Sequence, residues 1–419
     1  MSALIIVTAL AAQATAPQPS TPPSSAPPAS TASAEPITRG TTTYVDLEAG
    51  AGYSTNPNFS ITDADGAAFG RLAIRGVHTR VSERTTTVLT GFAQTSFYSR
   101  HQSSQQTLNL SASHDARVNE RLRIFGDLGL GYDEGGQLDT RVLVIPDVPL
   151  PPGTIQPPIL VDPTGDFLSV TARSYHAVGH IGGQLALGAR DYVTASTGVE
   201  HYVFKSDTLD TRYTTIPASI GYERQINART TVGARLAGSF TDYDGPGNVR
   251  VITPQLTIQT ALSERISLSG AAGVSFARID DGVDIRHSTG PSASVGLCAK
   301  GESDNLCARA AIDEQSATSA GPARTVSIGV DYSRRLDANQ NLGLSVSASR
   351  YSRPTPIVSG FDFSDATYVR AAADYSRRIS DRLFAGASAS ARKLSQDGPD
   401  PKVDVSGSLF VRYRLGDVR

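Results

Sequence analysis

The sequence predicts an all-β protein: a closed, antiparallel, up-and-down transmembrane β-barrel of about 18 strands. Three observations predict it. Hydrophobicity alternates with a period of two, the alternating segments are as long as membrane strands, and the connectors between them alternate between tight and long.

Alternation comes first. In VITPQLTIQTAL, Ile252, Leu256, Ile258 and Leu262 share a face, and Thr253, Gln255, Thr257 and Gln259 share the other. RISLSGAAGVSF places Ile266, Leu268, Ala272, Val274 and Phe276 together. In KVDVSGSLFVRYRL, Val403, Val405, Leu409, Val411, Tyr413 and Leu415 oppose Asp404, Ser406, Ser408, Arg412 and Arg414. NLGLSVSAS sets Leu342, Leu344, Val346 and Ala348 against Ser345, Ser347 and Ser349. Helical spacing fits these stretches poorly, whereas strand alternation fits them throughout.

Length comes second. The segments run for about 10–13 residues, where soluble strands have a mode of ~5–6 and tilted membrane strands need ~9–11. No apolar run approaches the ~20 residues of a spanning helix. A membrane-crossing chain of this kind crosses as strands, and closure then satisfies every backbone donor and acceptor. A soluble sandwich would have shorter strands and bulkier inward faces.

Connectors come third. Tight polar turns are expected near 82–83, 119–120, 189–190, 226–227, 263–264, 337–339 and 380–381. Longer loops are expected near 54–66, 99–104, 134–168, 205–210, 244–248, 279–290, 313–323, 353–365 and 395–401. Short periplasmic turns and long extracellular loops are the pattern of outer-membrane barrels, and an even strand number leaves both barrel ends on the turn side. Three stretches, GYERQINARTTVGARL, DYSRRLDANQNLGLSV and DYSRRISDRLFAGASA, repeat one layout: an aromatic, basic residues, a polar turn, then a strand. VNERLRIFGDL and LSERISLSGAA are shorter versions. Tyr222, Tyr332, Tyr375 and Tyr413 are thereby expected in the periplasmic aromatic girdle. Phe97, Tyr132, Tyr202, Phe240, Phe276 and Tyr351 are expected in the outer one.

Composition agrees. Of 419 residues, 39% are hydrophobic and 19% charged, so a thick core is not what the chain is built for. The net charge of −2 offers no broad basic surface for nucleic acid. Residues 1–14 read as a signal peptide, with the apolar run ALIIVTALAA and small residues at Ala12 and Ala14, although no basic residue precedes the run. Residues 15–42, rich in Pro, Ser, Thr and Ala, read as a disordered leader. Residues 43–419 are assigned to the barrel. The C-terminal residues Leu415 to Arg419 carry no terminal aromatic, so either an internal assembly signal or an extension formed by the last residues is expected. Localisation is expected in the bacterial outer membrane, with its lipid and lipopolysaccharide as partners.

Cys298 and Cys307 flank AKGESDNL. A symmetric hairpin turning at Glu302-Ser303 would place them directly opposite, within disulfide reach, in an oxidising compartment. Two cysteines do not make a zinc site, and the seven His residues show no paired metal spacing. The glycines of GLGYDEG are followed by no helical pattern, which argues against a nucleotide loop. The acidic groups Asp63-Asp65 and Asp280-Asp281-Asp284 read as solvated loop charge before they read as Ca²⁺ ligands. No catalytic constellation emerges, no cofactor is implied, and the protein is not expected to be an enzyme.

The informative residues lie on the polar strand faces. Arg75, Arg123, Asp127, Glu200, Arg235, Asp331, Arg370, Asp374 and Arg412 are candidates for the lumen wall. They would either set the field of an aqueous channel or form an ion-pair network that fills it. The 134–168 connector carries VLVIPDVPLPPGTIQPPILVDPTG, with seven Pro and many aliphatics. It is expected to fold inward or to dock a partner.

The opening strand YVDLEAGAGYSTNPNF, the stretch SASVGLCAKGESDNLCARAAI and SIGVDYSRRL resemble the second β-barrel porin family of proteobacteria. The resemblance covers most of the chain after Thr43. It implies an outer-membrane barrel without catalytic residues, encoded beside exopolysaccharide synthesis and export genes. A passive pore or accessory barrel for polysaccharide, working with envelope export proteins, is the function it implies. A general or solute-selective porin, and a structural or adhesive barrel with a plugged lumen, remain as alternatives.

Overall fold

The computed structural model describes residues 40–57, 65–99, 104–134, 173–205, 210–245, 247–315, 323–352, 365–396 and 403–417. The 1–14 assignment, the 15–42 assignment as far as residue 39, and the proline-rich 134–168 connector after Glu134 lie outside them, while residues 40–42 of the expected leader belong to the first strand. Eighteen strands follow one another. The first six are β1 (Gly40–Ser54), β2 (Ala67–Val81), β3 (Thr85–Tyr98), β4 (Gln105–Arg117), β5 (Leu122–Glu134) and β6 (Arg173–Ala186). Then come β7 (Asp191–Lys205), β8 (Asp210–Gln225), β9 (Thr230–Tyr243), β10 (Asn248–Ala261), β11 (Ile266–Asp280) and β12 (Ile285–Lys300). The last are β13 (Asp304–Gln315), β14 (Ala323–Asp337), β15 (Gln340–Ser352), β16 (Ala366–Arg378), β17 (Leu383–Gln396) and β18 (Asp404–Gly416).

Every strand pairs antiparallel with its sequence neighbours, and β18 pairs with β1 from Tyr44↔Gly416 to Ser54↔Ser406. The sheet is therefore a closed barrel without a free edge. Strands run from 12 residues in β13 to 16 in β8, enough to cross a bilayer at a tilt. The barrel opens at Gly40, three residues before the expected start.

The alternation read from the sequence divides the two walls. Leu128, Ile181, Leu256 and Leu409 are 60–71% exposed on the outer face. An apolar belt of this extent in water would be an aggregation site, whereas lipid is its natural solvent. The opposite face carries buried polar groups such as Asp46, Arg71, Glu200, Asp404 and Arg414.

Two rims form as expected. Connectors of two to four residues join β2 to β3, β4 to β5, and so on to β16 and β17, and they fall on the expected tight turns. One expected loop is corrected. The 279–290 segment is almost all strand: β11 runs to Asp280 and β12 starts at Ile285. The residues between are acidic and contain Gly282, which mimics a loop. In fact Asp281 Oδ1 accepts the backbone N–H of Val283 and Asp284, at 2.9 and 2.7 Å, and Gly282 takes φ 82°. That side-chain-to-backbone bonding closes a tight turn.

The aromatic girdles are partly as expected. Tyr222 and Tyr413 are exposed on the outer face beside the turns, and Tyr332 and Tyr375 share that face through their register with Leu306 and Leu342. On the loop side Phe97, Phe240 and Phe276 face outward, and Tyr132 packs on Tyr175 with centroids 4.9 Å apart. Tyr202 and Tyr351 do not join them: both face inward and are about 5% exposed. Their parity explains it. Tyr202 shares a face with Glu200, while Val199 is 52% exposed on the other, and Tyr351 shares a face with Ser349.

Candidate functional site: the lumen wall

The most charged stretch of the inner face spans β1, β2 and the last three strands. Alternation places Tyr44, Asp46, Glu48 and Ser54 of β1 inward, and the antiparallel register sets β18 arginines opposite the carboxylates. Arg414 donates Nε and Nη2 to Asp46, at 2.8 and 3.0 Å. Its guanidinium lies 4.1 Å from the Tyr44 ring centroid and 5.2 Å from that of Phe384. Arg412 donates Nε and Nη2 to Oε2 of Glu48, at 3.1 and 3.0 Å, while Arg71 from β2 takes Oε1 of the same carboxylate. Arg75, on the same face of β2, sits 6.0 Å from the Phe92 centroid and meets no carboxylate at ion-pair distance among the described residues. Three arginines thus share Asp46 and Glu48, and Arg75 stands beside them without an ion pair among the described residues.

Nearer the loops the same wall becomes hydroxyl-rich. Arg392 grips Asp404 through Nε and Nη2, at 3.0 and 2.6 Å, and Asp404 also accepts Ser54 Oγ at 2.6 Å and the Asn56 N–H at 3.0 Å. Beside this cluster, the pairs Ser388–Ser408 and Ser390–Ser406, each 2.8 Å apart, floor a shallow groove. Arg370, Asp374 and Phe69 line it.

A quarter of the way round, the charge changes sign. His180 of β6 stands between Asp127 of β5 and Glu200 of β7, with its two ring nitrogens 2.9 and 3.0 Å from a carboxylate oxygen of each. The ring acts as a double donor when it carries two protons. A Cβ at Gly198 would run into that ring, so the β7 position opposite His180 is left as glycine. Towards the loops, Tyr202, Phe204, Tyr213 and Tyr243 stack along β7–β9, with neighbouring centroids 5.1–6.4 Å apart. Together with Val249, Val251 and Ile279 they form a buried apolar cluster on the inner face.

An apolar belt outside, ion pairs inside and a wall with no edge decide the matter. This is an outer-membrane β-barrel. No family model matches the chain, and no curated protein matches it. Among solved structures the barrel is similar to OccK2 of Pseudomonas aeruginosa, at 10% identity and a TM-score of 0.44, covering 90% of this chain and 98% of that one. It is similar to a BenF-like porin from Pseudomonas fluorescens at the same identity and score, covering 90% and 99%. It is also similar to the FrpB iron transporter of Neisseria meningitidis, at 9% identity and a TM-score of 0.42. There it covers 84% of this chain but spans only 62% of the transporter. These likenesses concern the fold.

The nine lumen candidates all lie on barrel strands, on the faces that oppose the lipid belt. The barrel brings Asp127 and Glu200 together through His180, and Arg370 and Asp374 into one groove. Arg412 joins Glu48, and Arg123 pairs with Asp115 at 2.7 Å. Arg235 is tied to Gln255, at 2.5 Å from Nη2, and Asp331 lies in register with Cys307 and Ser345. Sequence reading missed Asp46, Glu48, Arg71, Arg392 and His180, and it set Asp404 and Arg414 on the polar face without naming them as lumen candidates. Strict alternation from Leu47 places Asp46 and Glu48 inward as well. The aromatic cluster was missed because YVF carries bulky apolar residues on both faces near the loops, with Tyr202 and Phe204 inward and Val203 outward.

Cys298 and Cys307 are Cα partners in the hairpin, with Cα atoms 4.1 Å apart, and they form a disulfide. The expected bond therefore pins the 301–303 turn. No group of three or more potential metal ligands occurs among the described residues.

Proposed function

We propose that the barrel is a passive pore for small polar solutes, and that anions travel along the arginine wall. The supporting observation is the five-to-three imbalance of guanidinium and carboxylate on the inner face of β1, β2, β17 and β18, with Arg75 left over. Guanidinium groups held along one wall attract anions and orient them, while the carboxylates around His180 repel them from the neighbouring wall. A solute crossing the lumen then meets a transverse field. The field favours molecules that are charged or strongly polar and disfavours apolar ones, which cannot repay the loss of ordered water.

Planar-bilayer recording tests this. The purified barrel should show ohmic single channels, and a KCl gradient should give a reversal potential of the sign expected for chloride preference. Silent insertion would instead mark a plugged, structural barrel. Cation preference would overturn the role given to the arginines.

A second reading is favoured by the groove floored by Ser388, Ser390, Ser406 and Ser408. Its hydroxyls, with Arg370 and Asp374 at the edge, match the donors and acceptors of a sugar chain. In this reading the barrel passes an exopolysaccharide in concert with envelope export proteins. Added polysaccharide should then block the current from one side, and Ser388→Val should weaken the block.

A further inference from the structure

Arginines on the outer wall near the loops tend to have a carboxylate. Arg173 meets Glu134 at 2.9 Å, Arg212 meets Asp244 at 2.8 Å, and Arg350 meets Asp365 at 2.7 Å. Arg250 and Arg278 differ. They are Cα partners across β10 and β11, both exposed on the outer face. Neither reaches a carboxylate at ion-pair distance among the described residues. Arg250 leans on the Phe240 ring, 5.4 Å from its centroid. Exposed His287, the Cα partner of Arg278 on β12, extends the row. Asp242 and Asp280 stand one row nearer the loops, opposite Asn248, and Asp280 accepts the Gly282 N–H at 3.0 Å.

Like charges directly opposite in an antiparallel ladder repel and destabilise the pair. Here they also sit at the level of exposed aromatics, immediately above the aliphatic belt: Phe276 and Ile252 are the next partners along the same ladder, 51% and 54% exposed. That level is the headgroup zone of the outer leaflet. We propose that Arg250 and Arg278, with His287 beside them, bind a phosphate of the outer-leaflet glycolipid, lipopolysaccharide.

The chemistry fits one ligand. A phosphate monoester carries about −1.5 to −2 charges and three acceptor oxygens. Two guanidinium forks converging on it turn mutual repulsion into charge-assisted hydrogen bonds. Ile252, Val274 and Phe276 below offer an apolar track for the acyl chains on which the phosphate is carried. The site lies on the lipid side of the wall, so it is independent of whether the lumen conducts.

The test uses the full barrel in detergent and native mass spectrometry. Three probes are added in turn: bis-phosphorylated lipid A, the same lipid stripped of phosphate, and inorganic phosphate. The wild-type barrel should retain the phosphorylated lipid. Arg250→Gln/Arg278→Gln should bind it on the order of tenfold more weakly, as expected for losing charge-assisted bonds. Arg350→Gln should bind as wild type. Thermal unfolding gives a second readout. Arg278→Gln should melt higher than wild type without lipid, because the repulsion is gone, and should gain less on adding lipid A. Equal retention by the double variant and wild type, or equal binding of the dephosphorylated lipid, would overturn the proposal. So would full displacement by millimolar inorganic phosphate, which would mark a site for the free anion.

Discussion

Arg414 grips Asp46 with two nitrogens across the seam where the last strand closes on the first, 368 residues apart in sequence. Both are buried, Asp46 at 2% exposure and Arg414 at 8%. Removing one partner leaves the other charge without compensation, which in buried settings costs about 3–5 kcal/mol. Asp46→Ala should therefore lower the urea midpoint of the barrel in lipid vesicles and weaken its resistance to unfolding in cold detergent. Asp46→Leu/Arg414→Leu removes both charges and should recover most of the loss. If the single variant unfolds at the wild-type urea concentration, the bridge does not hold the seam.

Arg75 offers the sharpest handle on the proposed pore. It shares the inner face of β2 with Arg71 but, unlike Arg71, has no carboxylate of its own among the described residues. Replacing it should change the field without breaking an ion pair. Arg75→Gln should reduce the chloride-to-potassium permeability ratio on the order of twofold, and Arg75→Glu should reduce it further. Heat-modifiable mobility should stay that of wild type in both. A permeability ratio indifferent to the charge at position 75 would remove the arginine wall from the selectivity argument.

How much of this was legible beforehand depends on what each face must do. The strand number, the two rims and the cysteine hairpin followed from alternation and turn chemistry, because lipid enforces an apolar outer face at every second residue. Leu409 and Leu256 could face nothing else. The inner face is under no such uniform demand. There, Arg412 was recognised as inward, but its partner Glu48 lies 364 residues away, and only closure of β18 on β1 brings them together. Tyr202 and Tyr351 were misplaced for a related reason. A girdle was inferred from their position near strand ends, when the parity of Val199 and Ser349 already fixed their direction. The 281–284 turn reads as a longer loop because acidic residues in sequence suggest solvated charge, although Asp281 bonds its carboxylate to the backbone.

The disulfide makes a redox prediction. Cys298 and Cys307 are separated by nine positions. Chain-entropy arguments give about 2–3 kcal/mol for a loop of that size. Cys298→Ser/Cys307→Ser should unfold at lower denaturant by up to that amount, and reductant should affect the wild type alone. Without reductant, mass spectrometry should find no thiol open to alkylation. Two alkylated cysteines in unreduced protein would refute the bond.

His180 predicts a coupling. It keeps Asp127 and Glu200 apart by bonding to both. His180→Ala should leave two carboxylates around an empty space, one of them, Glu200, 2% exposed. The loss should be about 1–3 kcal/mol, the penalty for stranding buried polar groups. Asp127→Asn/Glu200→Gln in the same background should restore part of it, since neutral amides tolerate one another. A multiple-mutant cycle on urea midpoints reads the effect directly. Strict additivity of the three changes would mean that the bridge carries no coupling energy.

Asp281 carries the pH prediction, on the loop rim outside the strands. The backbone N–H groups of Asp284 and Val283 hold its carboxyl below the usual aspartate range. They bond to the charged form, and Arg286 reaches the same side chain at 3.4 Å. A depressed folded value means that the unfolded segment binds its proton first as pH falls. The contribution to the turn is therefore complete above the ordinary aspartate value near 3.9. It fades as pH drops from there through the lower folded value. Amide exchange at Val283 and Asp284, corrected for the intrinsic effect of pH, should stay slow from neutral pH down to about 4 and quicken below it. Asp281→Ala should exchange fast at every pH, with no such step. The expected difference is local, since the turn lies at the rim and the β11–β12 ladder begins beside it at Asp280 and Ile285. A wild-type turn that opens between pH 7 and 5 would take control of the turn away from Asp281.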